Sequence, residues 1–141
     1  MSDPILLPNL VRRESRSLLQ YVRESFPWSR TKDQAVREKV VAAAETEGEL
    51  LAELGRLLQK RHIPMPGLGA YPTSFTNMNY VSLTYLIPRL VAAERQSIAD
   101  LEHDLPRVED QQIQDVLSAF RELKRRHLAD LESLVSPSKA A

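Results

Sequence analysis

The sequence predicts an all-α protein, an antiparallel four-helix bundle with one long crossover between its second and third helices. Three observations lead there. Four segments carry apolar residues at spacings of three and four, whereas the period-two alternation of strands is absent. Glycine is scarce, at four residues, and the longest proline- and glycine-rich stretch, "IPMPGLGAYPTSFTN", occurs once, in mid-chain. At 141 residues and 43% hydrophobic content, one core is expected, burying about two thirds of the unfolded surface. Residues 1–135 are read as one domain, and residues 136–141, "SPSKAA", as a polar tail expected to fray.

The first helix is predicted from about Asn9 to Ser25, with Leu7, Leu10, Val11, Leu18, Tyr21 and Val22 along one side. It stops at "FPW", because Pro27 disfavours helix at the residue before it. Thr31 and Gln34 have the spacing of a capping box, which starts the second helix; it runs to about His62 and carries Val36, Val40, Ala43, Leu50, Leu54, Leu57 and Leu58 on its face. The third helix has three candidate caps, Asn77, Asn79 and Ser82, and Pro88 is expected to kink anything begun before it. From Ile87 its stripe is continuous through Leu90, Val91, Ile98, Leu101 and Leu105, closed by Pro106. The fourth helix, capped by Asp110, runs from about Gln111 to Val135. Short links join helices one to two and three to four and make those pairs antiparallel, while the long link can cross the length of a bundle.

Nineteen Lys+Arg against nineteen Asp+Glu give a formal net charge of zero, so no overall field draws the chain to nucleic acid or an anionic membrane. The short basic run "KRRH" spreads around its helix and has no aromatic or glycine-rich companion for nucleic acid. No cysteine is present, which excludes thiolate metal sites, iron–sulfur clusters and cysteine nucleophiles. No apolar run approaches a membrane span, and "MSDPILLPNL" lacks the features of a signal peptide, so a soluble cytoplasmic protein is expected. His62 and His103 lie near helix ends, where a cation suits the local dipole. Trp28, Tyr71, Phe75, Tyr80 and Tyr85 cluster around the links and read as packing, or as a contact between two copies of the chain.

Every helix breaks its apolar stripe with an ionisable residue near mid-length. Glu14 lies four residues from both Leu10 and Leu18; Glu47 lies seven from Val40 and Leu54; Glu94 lies four before Ile98. In "ELKRRHLADLESL", stepping back from Leu134 through Leu131 meets His127 and Lys124 before Phe120 and Leu117. An isolated buried charge costs several kcal/mol, so Glu14, Glu47, Glu94, Lys124 and His127 are expected to form one buried polar cluster, satisfying one another or a metal.

At these positions the chain resembles the rubrerythrin branch of the ferritin-like superfamily. "RESRSLLQY" is similar to that family's first ligand helix, "AETEGELLAEL" to its second, "AERQS" to its third, and "KRRH" stands where an ExxH belongs. The resemblance implies a di-metal bundle with Glu14, Glu47 and Glu94 at ligand positions and His127 as a retained histidine. It also exposes two departures: Leu50 replaces the histidine of helix two and Lys124 replaces the bridging glutamate of helix four. By that correspondence the site containing Glu14 is vestigial, and Glu47, Glu94 and His127 remain for one Fe, Mn or Zn ion. Lys124 argues against even that, because an ammonium repels a divalent cation and can itself neutralise buried carboxylates. Two functions follow. One is a non-catalytic binding or structural homodimer with a metal-free cluster; the other is a single-metal protein with residual redox or sequestration activity. Di-metal oxidase or peroxidase chemistry is not expected, and neither is binding to nucleic acid or membrane.

Overall fold

The computed structural model describes residues 3–25, 33–65, 67–78 and 82–140. Among these the chain is all-helical, with no strand. Five α-helices occur in order: α1 (Asp3–Ser15), α2 (Leu18–Ser25), α3 (Gln34–Lys60), α4 (Leu83–Asp104) and α5 (Gln111–Ala140). Two 3₁₀ turns, Thr73–Met78 and Leu105–Arg107, lie in the crossover and in the α4–α5 link.

The predicted first helix is two helices, and it begins earlier. Pro4 falls in the first turn of α1, where a missing N–H is harmless. Pro8 forfeits only the bond to the carbonyl of Pro4. The break comes at Arg16–Ser17, where the Ser17 hydroxyl accepts a hydrogen bond from the Gln20 N–H at 3.3 Å and so caps α2. The apolar spacing continues across the break, so periodicity alone gave no sign of it.

α3 ends in a Schellman turn. The N–H of His62 bonds the Gln59 carbonyl at 3.1 Å, that of Ile63 bonds the Leu58 carbonyl at 2.9 Å, and His62 adopts φ 57°. His62 thus terminates its helix through its backbone. Ser82, of the three candidates, caps α4, accepting from the Tyr85 N–H at 3.3 Å. Pro88 therefore sits in the second turn of α4. Asp110 caps α5 as predicted, with Oδ1 accepting from the Ile113 N–H at 3.2 Å, and α5 runs five residues past the expected end at Val135, to Ala140. The Asp110 carboxyl is held below its ordinary range by Arg61, against slight burial, with help from the N–H groups of Ile113 and Gln112. Thr31, Pro27, Trp28, Asn79 and Tyr80 lie outside the described residues.

Side-chain bonds set the helix pairs. Arg61 at the end of α3 bonds Asp110 and Gln112 at the start of α5, both at 2.6 Å, while Glu47 in mid-α3 meets Lys124 and His127 further along α5. Arg125 of α5 meets Glu102 of α4, and Glu132 further on meets Arg95 further back. Asp3 accepts the N–H groups of Glu109 and Asp110, tying the start of α1 to the α4–α5 link.

The buried apolar residues fall into two clusters. One gathers Leu7, Leu10 and Val11 of α1 with Leu54 and Leu58 of α3, Leu101 of α4, and Leu117 and Phe120 of α5. The other gathers Leu18 and Val22 of α2 with Val40 and Ala44 of α3, Leu86 and Leu90 of α4, and Leu131 of α5. On each helix the ionisable stripe residues fall in the sequence gap between the two clusters. The polar layer therefore divides the core.

Candidate functional site

The five stripe residues are all buried: Glu14 at 2% exposure, Glu47 and Glu94 at 1%, Lys124 at 0% and His127 at 9%. Helical spacing explains why each faces the core, since each sits three or four residues from a buried apolar neighbour on its own helix, and the packing of the helices brings them to one level. Lys124 is the hub. Its Nζ lies 2.7 Å from Glu47 Oε1, 3.1 Å from Glu94 Oε1 and 3.3 Å from Glu14 Oε1. An ammonium has three N–H donors and no acceptor, and here three carboxylates from α1, α3 and α4 surround it. The Phe120 ring, one turn earlier on α5, covers it with its centroid at 5.0 Å.

Each carboxylate is held differently. Glu47 carries the strongest set of donors: besides Lys124, His127 Nδ1 lies 2.6 Å from its Oε2, and the tautomer that suits this contact donates from Nδ1. Glu14 has partners that periodicity did not predict. Arg13 Nε donates to its Oε2 at 2.9 Å, and the buried Ser97 hydroxyl of α4 donates to its Oε1. Arg13 also reaches Asp104 Oδ2 at 3.0 Å. Glu94 is the least satisfied, since its Oε2 is buried with no hydrogen-bond donor.

The protonation of the layer follows from these contacts. Burial pushes Glu47 up, but the His127 hydrogen bond, the Lys124 charge and the bond from Glu94 together outweigh it, so Glu47 lies below the ordinary glutamate range. Burial raises Glu94 well above that range; Lys124 opposes the shift, and the negative charge of Glu47 reinforces it. Glu94 is thus the acid of the pair. Its interaction with Glu47 lowers Glu47 and raises Glu94, as a hydrogen bond from the neutral acid to the carboxylate does. Burial alone would lower Lys124, but Glu47, Glu94 and Glu14 overcome it and raise its pKa. Arg13 is shared between Glu14 and Asp104, so Lys124 is the cation at the centre of the layer.

Glu47, Glu94 and His127 each offer a ligand atom, all within 4.8 Å of one another. Glu14 stands outside this triad. Leu50 does not follow Glu47 on the buried stripe: Ala44 and Leu51 hold the positions expected of Ala43 and Leu50. Leu50 is half-buried and faces a groove between α3 and α5 with Glu53, Leu123 and Arg126. His127 also lines a cleft of about 300 Å³ between those helices, beside Lys39, Thr46 and Asp130.

Ser97 and Asp104 were legible, since they continue the Glu94 stripe at three and ten residues, but Arg13 was not, because its position points it outward. Tyr71 and Phe75 of the crossover stack on Tyr21 of α2, with centroids at 5.1 and 5.5 Å. Tyr85 is 47% exposed. No described helix is long and apolar enough to cross a membrane. No protein-family model matches the chain, and neither a curated protein nor a solved structure matches it significantly.

Proposed function

We propose that this protein is a ferritin-like, rubrerythrin-type antiparallel four-helix bundle in which a lysine ammonium stands where metal ions would otherwise hold the core together. On this reading α1 and α2 form the first strut and α3, α4 and α5 the other three. The protein acts as a non-catalytic binding or structural homodimer in the cytoplasm. The observation that carries the proposal is the Lys124 ammonium within 3.3 Å of carboxylate oxygens from three helices. Such a layer ties the helices to one register, because sliding any one of them strands a buried charge. Tyr71 and Phe75 are taken up within the chain, and Tyr85, though 47% exposed, is engaged by Arg89 of its own helix, so the dimer rests on Tyr85 and Arg89 offering one exposed patch together.

A second reading rests on the Glu47, Glu94 and His127 triad. Two carboxylates and one imidazole suit one Fe, Mn or Zn ion in number and type. They do not suit it as they stand. Lys124 occupies the same two carboxylates at 2.7 and 3.1 Å, and burial raises Glu94 toward its neutral form, which weakens it as a metal ligand.

Elemental analysis of protein purified without a metal-affinity tag separates the readings. The lysine-centred proposal expects far less than one equivalent of any transition metal and no thermal shift on adding Mn or Zn. One tightly held equivalent, lost in His127→Ala and kept in Glu14→Ala, overturns it in favour of the single-metal protein. Sedimentation tests the dimer separately: a monomer at micromolar concentration removes that part of the proposal.

A further inference from the structure

The interruption between α1 and α2 shapes a cavity. Beside Ser17 a space of about 550 Å³ lies between the α1–α2 junction, the crossover and α4. That volume falls in the usual range of small-molecule pockets. Its walls are mostly apolar, with Leu18 from α2, Leu68, Pro72 and Phe75 from the crossover and Ala93 from α4.

The mouth is cationic. Arg12, Arg13 and Arg16 lie along the α1 side, and the two acids in the lining are Glu14, paired with Arg13, and Asp100 of α4. Arg13 is already committed to Glu14 and Asp104, with Asp100 at 3.9 Å. Arg16 donates from Nε to the Gly69 carbonyl at 2.9 Å and lies 4.6 Å over the Tyr71 ring, which fastens the crossover across the cavity. Its guanidinium also acts on the Tyr71 hydroxyl, so Arg16 offers its positive charge at the rim while anchored to the crossover. Arg12 is exposed on the same rim, with no ion-pair partner among the described residues. An apolar chamber with this rim matches a ligand that is apolar at one end and anionic at the other.

We propose that the cavity binds a small organic carboxylate with a flat apolar body, its ring against Phe75 and its carboxylate at Arg12 and Arg16. Aromatic faces favour offset or edge contacts with Phe75, and a planar guanidinium pairs readily with a carboxylate. Glu14 and Ser97 of the lysine-centred layer form the inner wall of the cavity, but the carboxylate contacts proposed at Arg12 and Arg16 use no group of that layer and hold whether or not it can accept a metal.

The test is titration of the full chain with 2-naphthoate, and separately with 2-naphthalenemethanol, which has the same ring system without the charge. Calorimetry is expected to show one saturable site, with the acid bound at least about tenfold more tightly than the alcohol, the worth of one charge-assisted hydrogen bond. Arg12→Gln, a change at an exposed residue, is expected to weaken the acid about fivefold or more by the same principle, leaving the melting temperature unchanged. Ala93→Phe places a ring inside the chamber and is expected to abolish binding, with a thermal melt confirming that the variant is folded. Should Ala93→Phe not fold, the acid–alcohol comparison and Arg12→Gln still decide. Equal affinity for acid and alcohol, no saturable binding at millimolar ligand, or unchanged binding in folded Ala93→Phe each overturns the proposal.

Discussion

Replacing Lys124 by Met keeps a long side chain under the Phe120 ring while removing the charge at the centre of the layer. The loss can be worked contact by contact. Glu14 keeps Arg13 at 2.9 Å and the Ser97 hydroxyl, so it suffers little. Glu94 is already raised toward its neutral form. Glu47 bears the change: at 1% exposure it loses its 2.7 Å cation and keeps His127. Breaking one side of a buried pair costs about 3–5 kcal/mol, and with only one carboxylate truly stranded the expected loss is at the lower end, about 3 kcal/mol. For a chain of this size that is a fall of roughly 10 °C in melting temperature. Urea unfolding followed by circular dichroism at pH 7 measures it. Because the penalty is that of a charge without a partner, it should shrink as pH falls below 7 and Glu47 of the variant takes up a proton. A loss below about 1 kcal/mol, or one that stays constant with pH, refutes the reasoning, since either result means that Lys124 is not neutralising buried charge.

The two remaining carboxylates of the hub should separate cleanly. Glu94→Gln is expected to stay within about 1 kcal/mol of the parent at pH 7, whereas Glu47→Gln should cost about 2–3 kcal/mol in the same urea assay, because it removes the carboxylate nearest Lys124 and the partner of His127. The pH profile carries opposite signs for the pair. Glu94, raised in the fold, stabilises fully below the ordinary glutamate pKa and loses that contribution as pH rises through its folded value. Glu47, lowered in the fold, stabilises above the ordinary pKa and loses that contribution as pH falls through its folded value. Glu94→Gln should therefore flatten the decline of stability on the neutral side and leave the acid limb intact; a profile unchanged by the substitution contradicts the assignment of the proton. His62→Gly should stabilise by about 0.5–1 kcal/mol by relieving a left-handed residue at the end of α3, read from the urea midpoint. Lys124→Glu places a fourth acid beside Glu14, Glu47 and Glu94, so its melting temperature without metal should fall well below the parent and rise on adding Mn or Zn. A variant that melts like the parent with no metal response shows the layer to be peripheral.

Helical period placed the five cluster residues before any coordinates existed. A period of 3.6 leaves little freedom: a residue three, four or seven positions from buried leucines shares their face, whatever its charge. Glu14, Glu47, Glu94, Lys124 and His127 were legible for that reason, and so were the apolar stripes and the Asp110 cap. Ser97 and Asp104 lay on the same stripe and went unread because a serine, or an acid near a helix end, is unremarkable on its own. Period could not separate Leu50 from Leu51, which sit three and four residues from Glu47 at the two edges of one face. Leu51 lies on the side of α1 and α2, near Val11 and Gln20, and is buried, whereas Leu50 faces the groove toward α5.

The sequence by itself determined that each helix would bury an ionisable residue, since that depends only on the repeat of one helix. Tertiary structure alone decided how those residues share charge, because a proton goes where distances between helices send it. Lys124 and His127 both reach Glu47, which favours its charged form; Glu94 meets Lys124 beside a negative neighbour with one oxygen unserved, which favours its neutral form. Arg13, exposed by its place on α1, folds back to Glu14 and Asp104 because α4 lies alongside. The break at Ser17 and the cavity beside it arise in the same way, since a local hydroxyl ends one helix and the distant crossover roofs the gap.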